Sequence, residues 1–257
     1  MKPYYKSVFI SDVHLGTRSC KIKQLKSFFD SIKFDKLYIV GDLIDLWALK
    51  RKWYFPQEHS NMISKLIGFA KKEKEVIYIP GNHDDFLRDL IDEIPNLNLG
   101  DIKIVDDYVY ETHSKKYYYL IHGDKFDFIT VNQKWLSMLG GYLYDKLVSL
   151  NNVFNWGRRK FGLGYWSLSK FIKLRVKQAI MYFNDFETIL TNHAKELGYD
   201  GVICGHIHHP TNKIVNDIHY CNTGDWVENM TALVDDGKTF KVIKWENGKI
   251  IDYSDSD

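Results

Sequence analysis

The chain has 257 residues, 45% hydrophobic and 26% charged, with 35 Lys plus Arg against 33 Asp plus Glu and a net charge of +2. That length and composition exclude wholesale disorder, collagen-like and coiled-coil architectures, and leave one large domain or one domain with an inserted cap. The near balance of charge argues against a dedicated nucleic-acid binder. Three cysteines, Cys20, Cys204 and Cys221, are too few and of the wrong parity for a disulfide framework, which points to a reducing compartment. The N-terminus has no apolar segment of signal-peptide length, and nowhere do 18 apolar residues run together, so the expectation is a cytoplasmic chain that does not span a membrane.

In chain order, runs rich in Val, Ile, Tyr and Phe occur at Ser7 to Ile10, Lys36 to Val40, Glu75 to Ile79, Tyr117 to Ile121 and Gly201 to Cys204, each closed by a Gly, Asp, Asn or His cluster. These predict buried strands ending in loops. Between the first three, Ile22, Leu25, Phe28, Phe29 and Ile32, then Met62, Ile63, Leu66 and Phe69, recur at helical spacing. Alternating β and α predicts an α/β layered fold with largely parallel strands. Toward the C-terminus, Asn216-Asp217, Asp236-Gly237 and Asn247-Gly248 each separate two alternating runs, as hairpin turns do, and predict an added antiparallel meander. The tail from Ser254 to Asp257 carries no periodicity.

Residues 125–187 break this pattern. They hold 10 Lys or Arg, 4 Asp or Glu, and 14 of the 39 aromatics, in long stretches of helical spacing. A composition break of this kind predicts a helical cap inserted into a core formed by 1–124 and 188–257.

Five motifs each follow a predicted strand: Asp12-Val13-His14, Gly41-Asp42, Gly81-Asn82-His83-Asp84, His122-Gly123-Asp124 and Gly205-His206-Ile207-His208. Ligands gather at the carboxyl ends of strands in open α/β sheets, so the five converge on one site. They supply Asp12, His14, Asp42, Asn82, His122, His206 and His208 as candidate metal ligands, with no Cys. Imidazole with carboxylate oxygen suits Mn, Fe or Zn better than the oxygen-only cage of Mg or Ca. Seven ligands exceed the needs of one tetrahedral ion and suffice for two divalent ions sharing a carboxylate, the arrangement that serves phosphoryl transfer.

The ordered set SDVHLG, GDLIDLW, GNHDDFL, HGDKFD and GHIHHP resembles the calcineurin-like metallophosphoesterase superfamily. The DLW after the second motif, the helical insert after HGDKFD and the closing YCNTGDWVEN resemble its UDP-2,3-diacylglucosamine pyrophosphohydrolase branch, which serves lipid A biosynthesis. The resemblance implies a four-layer α/β/β/α sandwich with the helical cap, and two divalent ions, manganese first with iron or zinc compatible. It also implies that Asp12, His14 and His208 hold one ion, that Asn82, His122 and His206 hold the other, and that Asp42 bridges. The reaction implied is hydrolysis of the UDP-2,3-diacylglucosamine pyrophosphate to UMP and the acylated sugar 1-phosphate. His83, beside a ligand but outside the ligand set, is the candidate catalytic donor to the leaving group. Asp84 is read either as its orienting partner or as the N-cap of a helix over Phe86 to Ile91. The pyrophosphohydrolases carry Arg where His83 stands, whereas the wider superfamily uses His, so another nucleotide or phosphoester substrate remains an alternative.

The insert offers candidate substrate contacts. Lys170, Lys173 and Lys177 form one stripe of a helix over Trp166 to Leu190, read either as a solvated face or as phosphate-neutralising, with Arg175 near the apolar side. Trp135 to Leu150 is apolar around the whole helix, fit for a core helix or for acyl chains. Arg158 lies in Asn155-Trp156-Gly157-Arg158-Arg159-Lys160-Phe161, where aromatics flank a basic triplet as in interfacial anchors. The partners expected are a nucleotide-linked lipid and, peripherally, the anionic inner membrane surface, with no nucleic acid. Trp47 is read as a stacking platform for a uracil-like base or as plain core.

Overall fold

The computed structural model describes residues 2–72, 74–94, 96–129 and 186–253. The chain divides into two compact units, Met1–Asp124 with Leu190–Asp257, and Lys125–Ile189. Arg158, Lys170, Lys173, Arg175, Lys177, the apolar stretch Trp135 to Leu150, the aromatic-basic segment 155–161 and the tail Ser254 to Asp257 lie outside the described residues.

The first half alternates as its periodicity predicts: β1 (Tyr4–Ile10), α1 (Ile22–Ser31), β2 (Lys33–Val40), α2 (Leu46–Arg51), α3 (Gln57–Ala70), β3 (Glu75–Ile79) and α4 (Phe86–Glu93). There follow β4 (Asn98–Leu99), β5 (Ile102–Ile104), β6 (Tyr108–Glu111), β7 (Tyr117–Leu120), β8 (Gly201–Cys204), β9 (Thr211–Val215), β10 (Ile218–Asn222), β11 (Thr231–Asp235), β12 (Phe240–Glu246) and β13 (Lys249–Asp252). Residues 186–196 are helical.

Two sheets result. The larger runs β13-β12-β11-β1-β2-β3-β5-β4, and the smaller β6-β7-β8-β10-β9. In the larger sheet β1, β2, β3 and β5 are parallel, joined through helices, whereas β11, β12 and β13 add as an antiparallel meander.

The period-2 pleat decides what each strand residue touches. Val8 and Ile10 of β1, with Leu37 and Ile39 of β2, pack against Leu25, Phe28 and Phe29 of α1 and Met62 and Leu66 of α3. Their alternates Phe9, Tyr38 and Val40 face the other sheet, meeting Tyr110, Tyr118, Leu120 and Ile203. Strands buried on both faces read as continuous apolar runs, which is why no polar alternation marks them. Each Phe or Leu so buried contributes about 1.5–3 kcal/mol relative to exposure. Beyond the smaller sheet, His193 of the last helical segment sets its ring 5.7 Å from that of Tyr119, so helices flank both sheets in an α/β/β/α sandwich. Among the described residues no helix is long and apolar enough to cross a membrane.

One expectation is corrected. The hairpin at Asn216-Asp217 does not belong to the C-terminal meander: β10 pairs in parallel with β8, Cys221 opposite Ile203, which places β9 and β10 in the smaller sheet. Asn216 and Asp217 adopt φ of 51° and 66°, the left-handed pair a tight hairpin needs. Such turn chemistry specifies a hairpin but not the sheet that receives it. The chain crosses between sheets after Asn222, and that crossing carries Thr223-Gly224-Asp225-Trp226 beneath the first motif, with Trp226 N–H donating to the Asp12 carbonyl at 3.0 Å.

Candidate metal centre

The motif loops after β1, β2, β3, β7 and β8 meet above the strand ends, and all the side chains described for the centre belong to the first compact unit. His208 Nε2 stands 3.1 Å from Asp12 Oδ1, and His14 Nε2 lies 3.8 Å from both Asp12 Oδ1 and Asp42 Oδ2. His122 Nε2 stands 3.4 Å from Asp42 Oδ2, and the rings of His122 and His206 are 5.1 Å apart. Three groups of candidate ligands overlap here, Asp12 with His14 and His208, Asp12 with Asp42 and His122, and His14 with Asp45 and His83. Asn82, in the loop after β3, has a buried Oδ1 without a hydrogen-bond partner.

The backbone at these positions is unusual. Asp12, His14, Asp42, His206 and His208 all have positive φ, between 51° and 70°. A left-handed non-glycine residue costs roughly 1–2 kcal/mol, and such strain persists where the surroundings over-determine it, as at functional sites. Hydrogen bonds hold the loops in place: Asp12 N–H donates to the Gly41 carbonyl, and His14 N–H to the Asp42 carbonyl. Ser11 Oγ donates to Asp12 Oδ2 at 2.5 Å, and the same oxygen accepts from His206 N–H at 3.0 Å, which leaves Oδ1 for the centre. Two glycines are required by close approach. A Cβ at Gly41, whose φ is +87°, would enter the His122 ring, and one at Gly81 would enter the Asp42 carboxylate.

The donor atoms fit a metal. Asp12 Oδ1, His14 Nε2, Asn82 Oδ1 and His122 Nε2 are buried and make no hydrogen bond, whereas most buried polar atoms of folded proteins are paired. His122 Nδ1–H donates to the Val40 carbonyl at 2.8 Å, so Nε2 is the nitrogen that would ligate a metal once its own proton has left. Electrostatics agree. Burial opposes charge on Asp12, yet His208 and His14 hold its carboxyl well below the usual range. Asp42, against its burial, is brought to about 2 by His122. Burial lowers a histidine, but at His14 the carboxylates of Asp12 and Asp45 outweigh it, at His122 that of Asp42 does, and both are pushed up to about 10. A cluster this rich in carboxylate favours cations, whether protons or metal ions.

Asp84 requires a correction. Its side chain neither orients His83 nor caps α4, whose N-cap position is Asp85 with no side-chain cap bond. One carboxylate oxygen accepts from Leu43 N–H at 2.7 Å, Ile44 N–H at 3.2 Å and the Tyr78 hydroxyl, and the other accepts from Gly81 N–H at 2.6 Å. Asp84 is fully buried and ties the second motif loop to the third, because those backbone N–H groups have no strand partner there.

The partner of His83 is Asp45, which sequence reasoning passed over. Asp45 Oδ1 stands 3.0 Å from His83 Nδ1, and Oδ2 stands 3.2 Å from His14 Nδ1. Asp45 also caps α2 by accepting from Ala48 N–H at 2.7 Å. The available signal was its place in GDLIDLW, three residues after Asp42 and just before a helix. Trp47, on the first turn of α2, is 42% exposed and sets its ring 4.3 Å from that of His83, so it is not a core residue. Asp225, from the closing motif, stands 3.8 Å from His208 Nδ1 and accepts from Val227, Glu228 and Asn229 N–H.

Residues 5–210 match the family model of calcineurin-like phosphoesterases. The chain belongs to the calcineurin-like phosphoesterase family. It is a metal-dependent phosphoester hydrolase, and the mixed α/β sandwich agrees with that family. No curated protein matches the chain. Similar solved structures include vacuolar protein sorting 29 from Cryptosporidium parvum, at 12% identity and TM-score 0.46, covering 96% of this chain and 94% of that one. The YfcE phosphoesterase from E. coli is 17% identical, at TM-score 0.46 and coverage of 95% and 96%. An archaeal phosphodiesterase is 14% identical, at TM-score 0.37 and coverage of 96% and 98%. Likenesses this distant do not speak for a substrate.

Proposed function

We propose that this phosphoesterase hydrolyses the pyrophosphate of UDP-2,3-diacylglucosamine, water adding across the P–O–P bridge to release UMP and 2,3-diacylglucosamine 1-phosphate. The observation that carries the reading is the exposed Trp47 ring packed 4.3 Å from His83 at the rim of the metal centre. An exposed aromatic plane beside the reacting phosphate suits a substrate with a planar base, and the DLW and YCNTGDWVEN segments resemble the pyrophosphohydrolase branch.

In this reading Asp12, His14 and His208 hold one divalent ion, Asn82, His122 and His206 hold a second, and Asp42 faces both. When bound, the two ions neutralise phosphate charge and generate the water-derived nucleophile, with manganese the first choice. The Asp45 carboxylate, 3.0 Å from Nδ1, draws that side of the His83 ring toward itself and leaves Nε2 on the side of Asp42, 3.9 Å away. His83 Nε2 is then placed to donate its proton to the departing oxygen. Trp47 covers one face of the His83 ring and keeps it in that orientation.

The second reading, another nucleotide or phosphoester, is favoured by His83 itself, since the lipid A pyrophosphohydrolases carry Arg there. Purified enzyme supplied with manganese decides, assayed against UDP-2,3-diacylglucosamine, the deacylated UDP-sugar and an aryl phosphodiester. Fast UMP release from the diacyl compound alone supports the lipid A step, and turnover of only the aryl diester overturns it. A lipid substrate further implies peripheral association with anionic membranes, to be measured by partitioning onto anionic against neutral vesicles.

A further inference from the structure

Arg88 lies on α4, outside the ligand residues, with its side chain 18% exposed. Its Nη1 and Nη2 donate to the two carboxylate oxygens of Asp124 at 2.7 and 2.8 Å, and Nη2 also donates to the Pro80 carbonyl at 2.7 Å. Its Nε stands 3.2 Å from Asp106 Oδ1. Pro80 precedes Asn82 by two residues and Asp124 follows His122 by two. Asn82 follows β3 of the larger sheet, whereas His122 follows β7 of the smaller. Asp106 lies on the crossing from β5 to β6, again from one sheet to the other.

A single guanidinium therefore joins the strand ends of two sheets at the loops that present Asn82 and His122. The planar fork suits this geometry, because it satisfies both carboxylate oxygens and a carbonyl from fixed directions, which a lysine ammonium cannot do. The first-ion group of Asp12, His14 and His208 has its own supports: Ser11 and His206 N–H on Asp12, and Asp45 on His14. None of these runs through Arg88.

We propose that Arg88, acting through Asp124 and Pro80, is a positioning residue that sets the spacing of Asn82 and His122 and with it the affinity of the second ion alone. The inference rests on the two-ion reading of the cluster. Partners that orient metal ligands typically change affinity by about 10- to 100-fold when removed.

The test is a calorimetric Mn²⁺ titration of the chelator-treated full chain, paired with electron paramagnetic resonance for a spin-coupled manganese pair. Wild type is expected to bind two ions and show the coupled signal. Arg88→Gln and Asp124→Asn should keep one site at unchanged affinity, weaken the other by about 10- to 100-fold, and lose the coupled signal at stoichiometric metal, with Arg88→Lys only partly restored. Fewer than two ions in wild type would overturn the two-ion reading itself. Two ions in wild type with unchanged affinities in the variants would overturn the clamp alone, as would equal weakening of both ions. Should Arg88→Gln fail to fold by circular dichroism, Arg88→Lys and Asp124→Asn decide, and wild-type binding of both ions by both variants overturns the proposal.

Discussion

The Asp45 carboxylate stands 3.0 Å from Nδ1 of His83, so the ring beside the metal centre is oriented by a residue from the second motif loop rather than by its own neighbour Asp84. A carboxylate that orients a catalytic ring supplies much of that ring's effect. Asp45→Asn and His83→Ala, assayed at saturating manganese, are each expected to lower kcat by roughly 10²-fold. The double variant should fall no further, since residues acting as a unit are non-additive. Independent, multiplying losses would show that the pair does not act together.

Asp84 supports the loops rather than the chemistry. Asp84→Ala leaves the N–H groups of Leu43, Ile44 and Gly81 without their acceptor. Unsatisfied buried donors cost about 1–3 kcal/mol each, so a loss of about 3 kcal/mol or more is expected in urea unfolding. Tyr78→Phe removes one hydroxyl donor to the same carboxylate and should cost only about 1 kcal/mol.

The pH behaviour of the metal-free protein follows from histidines pushed up to about 10 at His14 and His122. A histidine raised above its ordinary value near 6.5 stabilises the fold fully below that value and loses the contribution as pH rises through 10. Chelator-treated protein should therefore weaken between pH 6.5 and 10, and His122→Asn should weaken less over that window. The same protons must leave when metal binds, so Mn²⁺ affinity should rise with pH. Calorimetry in two buffers of different ionisation enthalpy reads the released protons.

Gly41→Ala tests the packing of the centre. The added methyl would enter the His122 ring, and φ of +87° strains any L side chain. Metal binding should be lost or reduced at least tenfold, as titration would show, while Gly248→Ala, at a hairpin with open space around it, should leave the metal untouched.

Trp47→Ala should raise KM for a uridine-containing substrate by about tenfold, a stacking contribution of about 1–3 kcal/mol. It should change turnover of a substrate without a base far less. Equal effects on both would assign Trp47 to holding His83 alone.

The chain by itself determined the alternation of strands and helices, the hairpin turns and the residue types of the candidate ligand cluster. These depend on local rules: apolar residues at period 2 or 3.6, left-handed residues at turns, and ligands placed just after strand ends. Asp12, His14, Asp42, Asn82, His122, His206 and His208 are legible as candidate ligands because each sits in a short motif after a strand. The tertiary structure alone decided that Asp45 rather than Asp84 faces His83, that the hairpin of β9 and β10 joins the smaller sheet, and that Arg88 bridges loops from both sheets. In each case the deciding contact joins loops far apart in the chain. Its geometry depends on how two twisted sheets pack, which no local periodicity carries.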